Sequence, residues 1–196
     1  MASKKEIQQR VFKNGKPLDL DKFEWDEKTN TFSSSEDCLV LGFNGVSYCT
    51  FNTGSGCTFD TGSYCIFNTG SDCIFDTGSY CTFDTGSYCT FNTEFGCTFN
   101  TGSYCTFNTK FDCTFNTVSY CTFKTGSGCT FNTEENCVVV RKDIYEVIEL
   151  KSGQKIKLKE YSIKGYDILE EEKPQGKKVK IRLSDNQVVE GEIVEE

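Results

Sequence analysis

The 196-residue chain contains no histidine, one methionine, one tryptophan and two prolines. Without histidine it has no Ser-His or Cys-His catalytic pair and no mixed Cys-His set for zinc. No apolar run approaches the ~18 residues of a membrane span, and the first residues, MASKKEIQQRVF, lack the apolar core of a secretory signal. There is also no Gly-x-Ser-x-Gly motif and no phosphate-binding loop. We therefore predict a non-enzymatic protein that has no cofactor, no metal and no membrane partner.

Positive charge is scarce in the middle of the chain. Residues 49–136 contain eight acidic residues and two lysines, a net charge of −6 within a total of −8. Phosphate contacts require clustered Lys and Arg, so nucleic acid is not an expected partner. Thirteen cysteines without a secretory signal indicate a reducing compartment. We expect a cytoplasmic or virion-associated protein with free thiols.

An eight-residue repeat, CTFNTGSx, occurs eleven times between Cys49 and Asn136. Position 1 is always Cys, position 3 always Phe and position 5 always Thr, whereas positions 2 and 4 vary. This two-residue period is typical of a β-strand whose odd positions face inward. The TGS segment predicts a turn in which Gly allows a positive φ. In four octads another residue replaces this Gly, so we expect those corners not to need a positive φ at position 6. The replacing residues are Glu94, Lys110, Val118 and Glu134.

Two positions indicate that the structural unit is sixteen residues. Tyr alternates with Gly or Asp at position 8, and Asn alternates with Asp at position 4; both alternations slip between Tyr80 and Tyr88. We predict an all-β fold, a two-sided parallel β-solenoid with 16 residues (two octads) per coil, flanked by small β caps. The predicted domains are an N-terminal β-hairpin cap (1–40), an octad-repeat solenoid (41–140) and a small C-terminal β domain (141–196). LGFNGVSY, residues 41–48, is interpreted as a degenerate octad with Phe43 at the Phe position.

The Cys and Phe side chains of the repeat are predicted to fill the interior, because a buried thiol packs as a small hydrophobe beside a ring. The predicted core residues are Cys49, Phe51, Cys57, Phe59, Cys65, Phe67, Cys73, Phe75, Cys81, Phe83, Cys89, Phe91, Cys97, Phe99, Cys105, Phe107, Cys113, Phe115, Cys121, Phe123, Cys129 and Phe131. Two alternatives stay open for the thiols. They are soft-metal capture and disulfides between coils, which parallel Cβ vectors disfavour.

Aromatic residues at the corners form a candidate binding surface for protein or glycan, with the terminal β domain as a second candidate. The surface residues are Tyr64, Tyr80, Tyr88, Tyr104, Tyr120, Phe95 and Phe111. The alternative is that these rings only staple the turns. The outward Thr and Asn rows are interpreted either as ordinary cross-strand stacking or as flat faces that bind ice or another ligand. Asp60 and Asp76 are expected in one row, either solvated or bridged by a hard cation.

The repeat CTFNTGS and the flanks RVFKNGKPLDLDKFEWDEKTNTFSS and CVVVRKDIYEVIEL resemble a family of uncharacterised Cys-rich tandem-repeat proteins of phages and giant viruses. The resemblance covers most of the chain. It implies a viral or virus-derived origin, and the family has no established activity to transfer. We therefore expect a structural or attachment module. Ice or ligand binding through the Thr/Asn faces is one alternative, and soft-metal binding by the cysteines is another.

Overall fold

The computed structural model describes residues 2–169 and the two strands Lys177–Arg182 and Val188–Ile193. It is an all-β protein, 45% strand and 5% helix, in which about seven coils of about 16 residues stack into a two-sheet parallel solenoid. The predicted fold class and coil period are therefore confirmed.

The first elements form the N-terminal cap: α1 (Lys4–Gln8), β1 (Val11–Lys13), β2 (Lys16–Pro17), a 3-10 turn (Leu20–Lys22) and β3 (Glu24–Asp26). The coils comprise β4 (Thr31–Ser33), β5 (Leu39–Phe43), β6 (Thr50–Asn52), β7 (Thr58–Thr61), β8 (Ile66–Thr69), β9 (Ile74–Thr77), β10 (Thr82–Thr85), β11 (Thr90–Thr93), β12 (Thr98–Thr101), β13 (Thr106–Asn108), β14 (Thr114–Thr117), β15 (Thr122–Thr125), β16 (Thr130–Thr133) and β17 (Cys137–Arg141). The last strands are β18 (Glu146–Leu150), β19 (Gln154–Leu158), β20 (Tyr166–Ile168), β21 (Lys177–Arg182) and β22 (Val188–Ile193).

Odd and even octads form different sheets. Sheet A has the order β2-β1-β5-β7-β9-β11-β13-β15-β17-β18, and sheet B has the order β3-β4-β6-β8-β10-β12-β14-β16-β19-β20. Neighbouring coils pair in parallel and in register, so that Phe83 lies opposite Phe99 and Phe99 opposite Phe115. The outermost strands pair antiparallel. β21 and β22 pair only with each other among the described strands.

The parallel stack begins at β4, ten residues before the predicted boundary at residue 41, because β4 already pairs in parallel with β6. In the next strand Leu41 lies opposite Phe59, and Phe43 lies opposite Thr61. The prediction that Phe43 holds the Phe position was therefore wrong. The corner after β5 is longer than in an octad and contains Gly45 in the left-handed region, at φ 71°, which shifts the register of this segment.

The C-terminal flank is partly continuous with the solenoid. β18 extends sheet A, and β19 and β20 extend sheet B, so residues up to 169 cap the same core. The remainder of the predicted 141–196 domain lies outside the described residues, except for the pair β21–β22.

The left-handed residue of each corner is position 8, not the Gly of TGS. Tyr64 has φ 58° and Asp72 has φ 60°, and the equivalent residue is left-handed at every corner of the repeat. The assignment of positive φ to the position-6 Gly was therefore wrong. That Gly instead makes room, since a Cβ on Gly62 would lie 2.5 Å from the Ser47 hydroxyl oxygen one coil earlier. The same hydroxyl accepts a hydrogen bond from the backbone N–H of Ser63 at 2.9 Å.

The core consists of two phenylalanine ladders, one under each sheet. The Phe99 ring stacks nearly parallel to those of Phe83 and Phe115, at centroid distances of 4.9 and 5.0 Å. It also meets Phe91 and Phe107 of the other ladder edge to face, at 5.2 and 5.1 Å. Both arrangements are favourable for aromatic quadrupoles. The interior is therefore a continuous aromatic stack.

Candidate binding surfaces

The repeat cysteines lie at the interior of the corners, where each strand begins. All eleven, with Cys137, are buried, as are all eleven phenylalanines of the predicted core. The thiol of Cys81 lies 3.6 Å from the backbone carbonyl of Ser79 and 3.6 Å from that of Gly62 in the preceding coil. A thiol is a weak hydrogen-bond donor, so each one packs as an apolar group and also donates a weak hydrogen bond to carbonyl oxygens at the corner.

Burial opposes ionisation of these thiols, whereas hydrogen bonds between successive thiols of the ladder raise the pKa of some and lower that of others, such as Cys89 and Cys121. The neighbouring thiol of Cys113, together with burial, raises the pKa of Cys97 to about 11. The thiol of Cys129 and burial likewise raise the pKa of Cys113 to about 12. The thiolate is the form that attacks electrophiles and binds soft metals. Among the residues that the structure describes, no group of three or more His, Cys, Asp or Glu side chains could hold a metal ion.

Thiol labelling should distinguish one cysteine from all the others. Cys38 is exposed at a corner, whereas the other twelve cysteines are buried. We expect a water-soluble disulfide reagent to label Cys38 rapidly in the native protein and the remaining twelve only after denaturation. Cys38→Ser should abolish the rapid phase. Rapid native labelling of several thiols would contradict a buried ladder.

The aromatic corner residues form two separate columns, with Tyr64 and Tyr80 at one corner and Tyr88, Tyr104 and Tyr120 at the other, as the position-8 pattern predicts. Column AB lies where the chain passes from sheet A to sheet B, and column BA lies at the return corner. Column AB contains Tyr48, Tyr64, Tyr80, Phe95 and Phe111, and column BA contains Tyr88, Tyr104 and Tyr120. The slip in the repeat is the point where tyrosine changes corner. There Tyr80 covers Gly96, on which a Cβ would lie 2.6 Å from the Tyr80 ring, and meets Phe95 edge to face at 5.3 Å.

Except between Tyr80 and Phe95, successive rings within each column stack nearly parallel and cover one another. Tyr104 lies 5.0 Å from Tyr88 and 4.9 Å from Tyr120, each pair only 3° from parallel. These rings are about half exposed, and a neighbouring ring occupies the faces that a sugar or an aliphatic group would stack on. The columns therefore staple successive corners and present mainly ring edges and hydroxyls to solvent. Tyr48, which was not among the predicted surface residues, begins column AB and was visible in the position-8 pattern.

The outer faces of the sheets carry the Thr and Asn rows in register. Exposed Ile66 interrupts the Thr row of sheet B, and exposed Ile74 interrupts that of sheet A. Asp60 and Asp76 lie opposite each other, as expected, and Asp76 accepts a hydrogen bond from the Asn92 amide at 3.0 Å. An amide donor thus already faces one of the two carboxylates.

In the position-4 row of sheet B, some side-chain amides are hydrogen-bonded to a neighbour in the row and others are not. Asn68 donates to Asn52 at 2.8 Å, and Asn52 donates to the Ser33 hydroxyl at 3.1 Å. Further along, Asn116 and Asn132 have no side-chain hydrogen bond to any residue within the described part of the chain. The row is Ser33, Asn52, Asn68, Asp84, Asn100, Asn116 and Asn132. Its C-terminal amides are available to a ligand.

A groove lies at each end of sheet B, where a cap segment rises beside this row. The N-terminal groove, about 540 Å³, is lined by Asn52, Asn68 and the segment around Lys22. The C-terminal groove, about 480 Å³, is lined by the free Asn116 and Asn132, by Glu134, and by Ser152 of the β18–β19 turn. Sequence reasoning missed both grooves, because the caps that wall them are distant in sequence from the repeat strands that form the floor.

No family model, curated protein or solved structure matches the chain. The resemblance to viral repeat proteins therefore stays a prediction. No helix in the described residues is long and apolar enough to cross a membrane.

Proposed function

We propose that the protein is a non-enzymatic structural module of viral origin that holds its two ends at a fixed separation and offers its outer surfaces for attachment. The observation that carries the proposal is uninterrupted stacking. Seven coils pair in register, which corresponds to about 29 Å of rigid column at the strand spacing. Such a module needs no reactive centre.

The use of the repeat side chains supports this function. The thiols and phenylalanines are buried, the serine hydroxyls accept hydrogen bonds from the next coil, and the corner tyrosines stack on one another. A side chain that is buried, hydrogen-bonded or stacked against the equivalent part of the next coil is not available to react with a substrate. The groups left available lie on the sheet faces and at the column edges, which are suited to contact rather than to chemistry.

The ends of the solenoid favour a discrete unit over an open fibre. The outermost strand of sheet A at the N-terminal end is the exposed pair Lys16–Pro17, and that of sheet B carries exposed Glu24 and Asp26. Charged residues and proline on an edge strand discourage edge-to-edge pairing. The caps therefore support a spacer of defined length.

The proposal is tested by quantitative mass spectrometry of purified particles of the virus that encodes the chain. We expect the protein at a constant copy number per particle after stringent density purification. A capsid protein of the same particles provides the stoichiometric reference. Absence from particles, together with abundance in infected cells, would overturn a structural role in the virion.

A further inference from the structure

We infer that the groove at the C-terminal end of sheet B binds a neutral, hydroxyl-rich oligosaccharide. This inference rests on the proposed attachment function and names the surface and ligand class that would carry it. Three observations support it: the free amides of the floor, the walls of the groove and its charge.

The floor offers paired donors and acceptors at regular spacing. Asn100, Asn116 and Asn132 lie in register on three successive strands, about 4.8 Å apart. Asn100 donates to Asp84 at 3.1 Å. The amides of Asn116 and Asn132 make no side-chain hydrogen bond within the described residues, so each offers two donors and one acceptor. Vicinal sugar hydroxyls both donate and accept, which matches this mixed set.

The walls make the floor a groove rather than a flat sheet. The turn between β18 and β19 lies at one end and is anchored by a hydrogen bond from the backbone N–H of Gly153 to the Thr133 carbonyl, at 3.3 Å. Val118 and Glu134 line the side, and Glu134 accepts a hydrogen bond from the Ser119 hydroxyl at 3.4 Å. The volume of about 480 Å³ falls within the range of small-molecule sites.

Charge and polarity exclude the competing ligand classes. The lining contains one carboxylate, from Glu134, and no Lys or Arg. Exposed Lys155 lies just outside it, opposite Asn132 on β19, but no cation lies on the floor, and phosphate, sulfated glycans and nucleic acid require clustered Lys and Arg. Val118 is its only large apolar side chain, so the groove has no pockets for peptide anchors. The backbone of the floor strands is already paired on both sides, which leaves no free edge for an added peptide strand.

The N-terminal groove supplies a matched control. It lies on the same sheet and has nearly the same volume, but its amides, Asn52 and Asn68, are already bonded to each other and to Ser33. Replacing them removes the same chemical groups from the same face. A ligand that recognises free amides should be insensitive to that change.

The test is solution NMR of the full-length, ¹⁵N-labelled protein with cellotetraose, maltotetraose, chitotetraose and xylotetraose, each at millimolar concentration. We expect at least one of them to shift the side-chain amide signals of Asn116 and Asn132. N116A/N132A should weaken that binding about tenfold, equivalent to about 1.4 kcal/mol, while N52A/N68A leaves it unchanged. Thermal unfolding of both variants checks that the fold is intact. The shifts of the wild-type protein test binding even if a variant fails to fold.

Several results would overturn the inference. They are no shift with any of the four sugars, shifts confined to Asn52 and Asn68, or equal affinity in the two double variants. Stronger binding of a heparin tetrasaccharide would also overturn it, because the lining has no cation to recognise sulfate. If the NMR titration shows no binding but the protein is found in virus particles, only the sugar-binding groove is rejected. If the protein is absent from particles, the structural role is rejected and the NMR result still applies to the groove.

Discussion

Phe99→Ala is expected to lower the free energy of unfolding by about 3–5 kcal/mol, the range for removing a buried aromatic side chain. Phe99 is 0% exposed and contacts four other phenylalanine rings, two in its own ladder and two across the core. The surrounding rings are held by the coils above and below, so the cavity cannot collapse easily. Chemical denaturation followed by far-UV circular dichroism measures the loss.

The neighbouring residue provides the control for this prediction. Thr98 is on the same strand but faces solvent, so Thr98→Ala should change the stability by no more than about 0.5 kcal/mol. Phe99→Leu, which keeps much of the volume, should fall between the two. Equal losses for the Thr98 and Phe99 variants would contradict the inward and outward assignment of the strand.

Arg141→Met is expected to lower the free energy of unfolding by about 3–5 kcal/mol, because it leaves a nearly buried carboxylate without its partner. The Arg141 side chain is 0% exposed and forms an ion pair with Asp143 at 2.5 Å. It also donates to the backbone carbonyl of Ile163 at 2.7 Å and lies 3.7 Å from the Glu146 carboxylate. The guanidinium therefore fastens the 160–165 segment to the last coil.

Two further variants separate the sources of this effect. R141M/D143N should recover part of the loss, since it removes the stranded charge together with the guanidinium. Lys124→Met deletes a positive charge from an exposed position of the next strand in sheet A and should alter the stability by no more than about 0.5 kcal/mol. Hydrogen exchange should accelerate first around Ile163 in the Arg141 variant. Unchanged protection there would show that Arg141 does not anchor this segment.

Arg141 also illustrates where sequence reasoning stops. It occupies the position of a repeat threonine, opposite Thr125; the two-residue period from Cys137 directs it inward, but nothing in CVVVRKD indicates what pairs with its charge there. Its partners lie two, five and twenty-two residues further along the chain. Only the return of the chain over the end of the core creates a site in which an arginine is fully hydrogen-bonded.

At the corners, too, some features could be predicted from the sequence and others depend on how the coils stack. The alternation of Tyr with Gly or Asp predicted which residues share a corner, and the structure places them in two columns. Whether the ring faces are free depends on the distance and tilt between coils. The role of the position-6 glycine likewise depends on a serine fifteen residues earlier, which is a neighbour only after the coils stack.

The period of the coil, the two sheets and the inward direction of Cys and Phe could all be predicted from the amino-acid sequence. Eleven copies of one octad act as an internal comparison, and the alternation along a strand is a local property of the backbone. The left-handed residue of each corner, the closure of the two ends and the positions of the grooves became visible only in the folded protein. Those features depend on contacts between coils and caps, and residues far apart in the chain meet there only after the solenoid has formed.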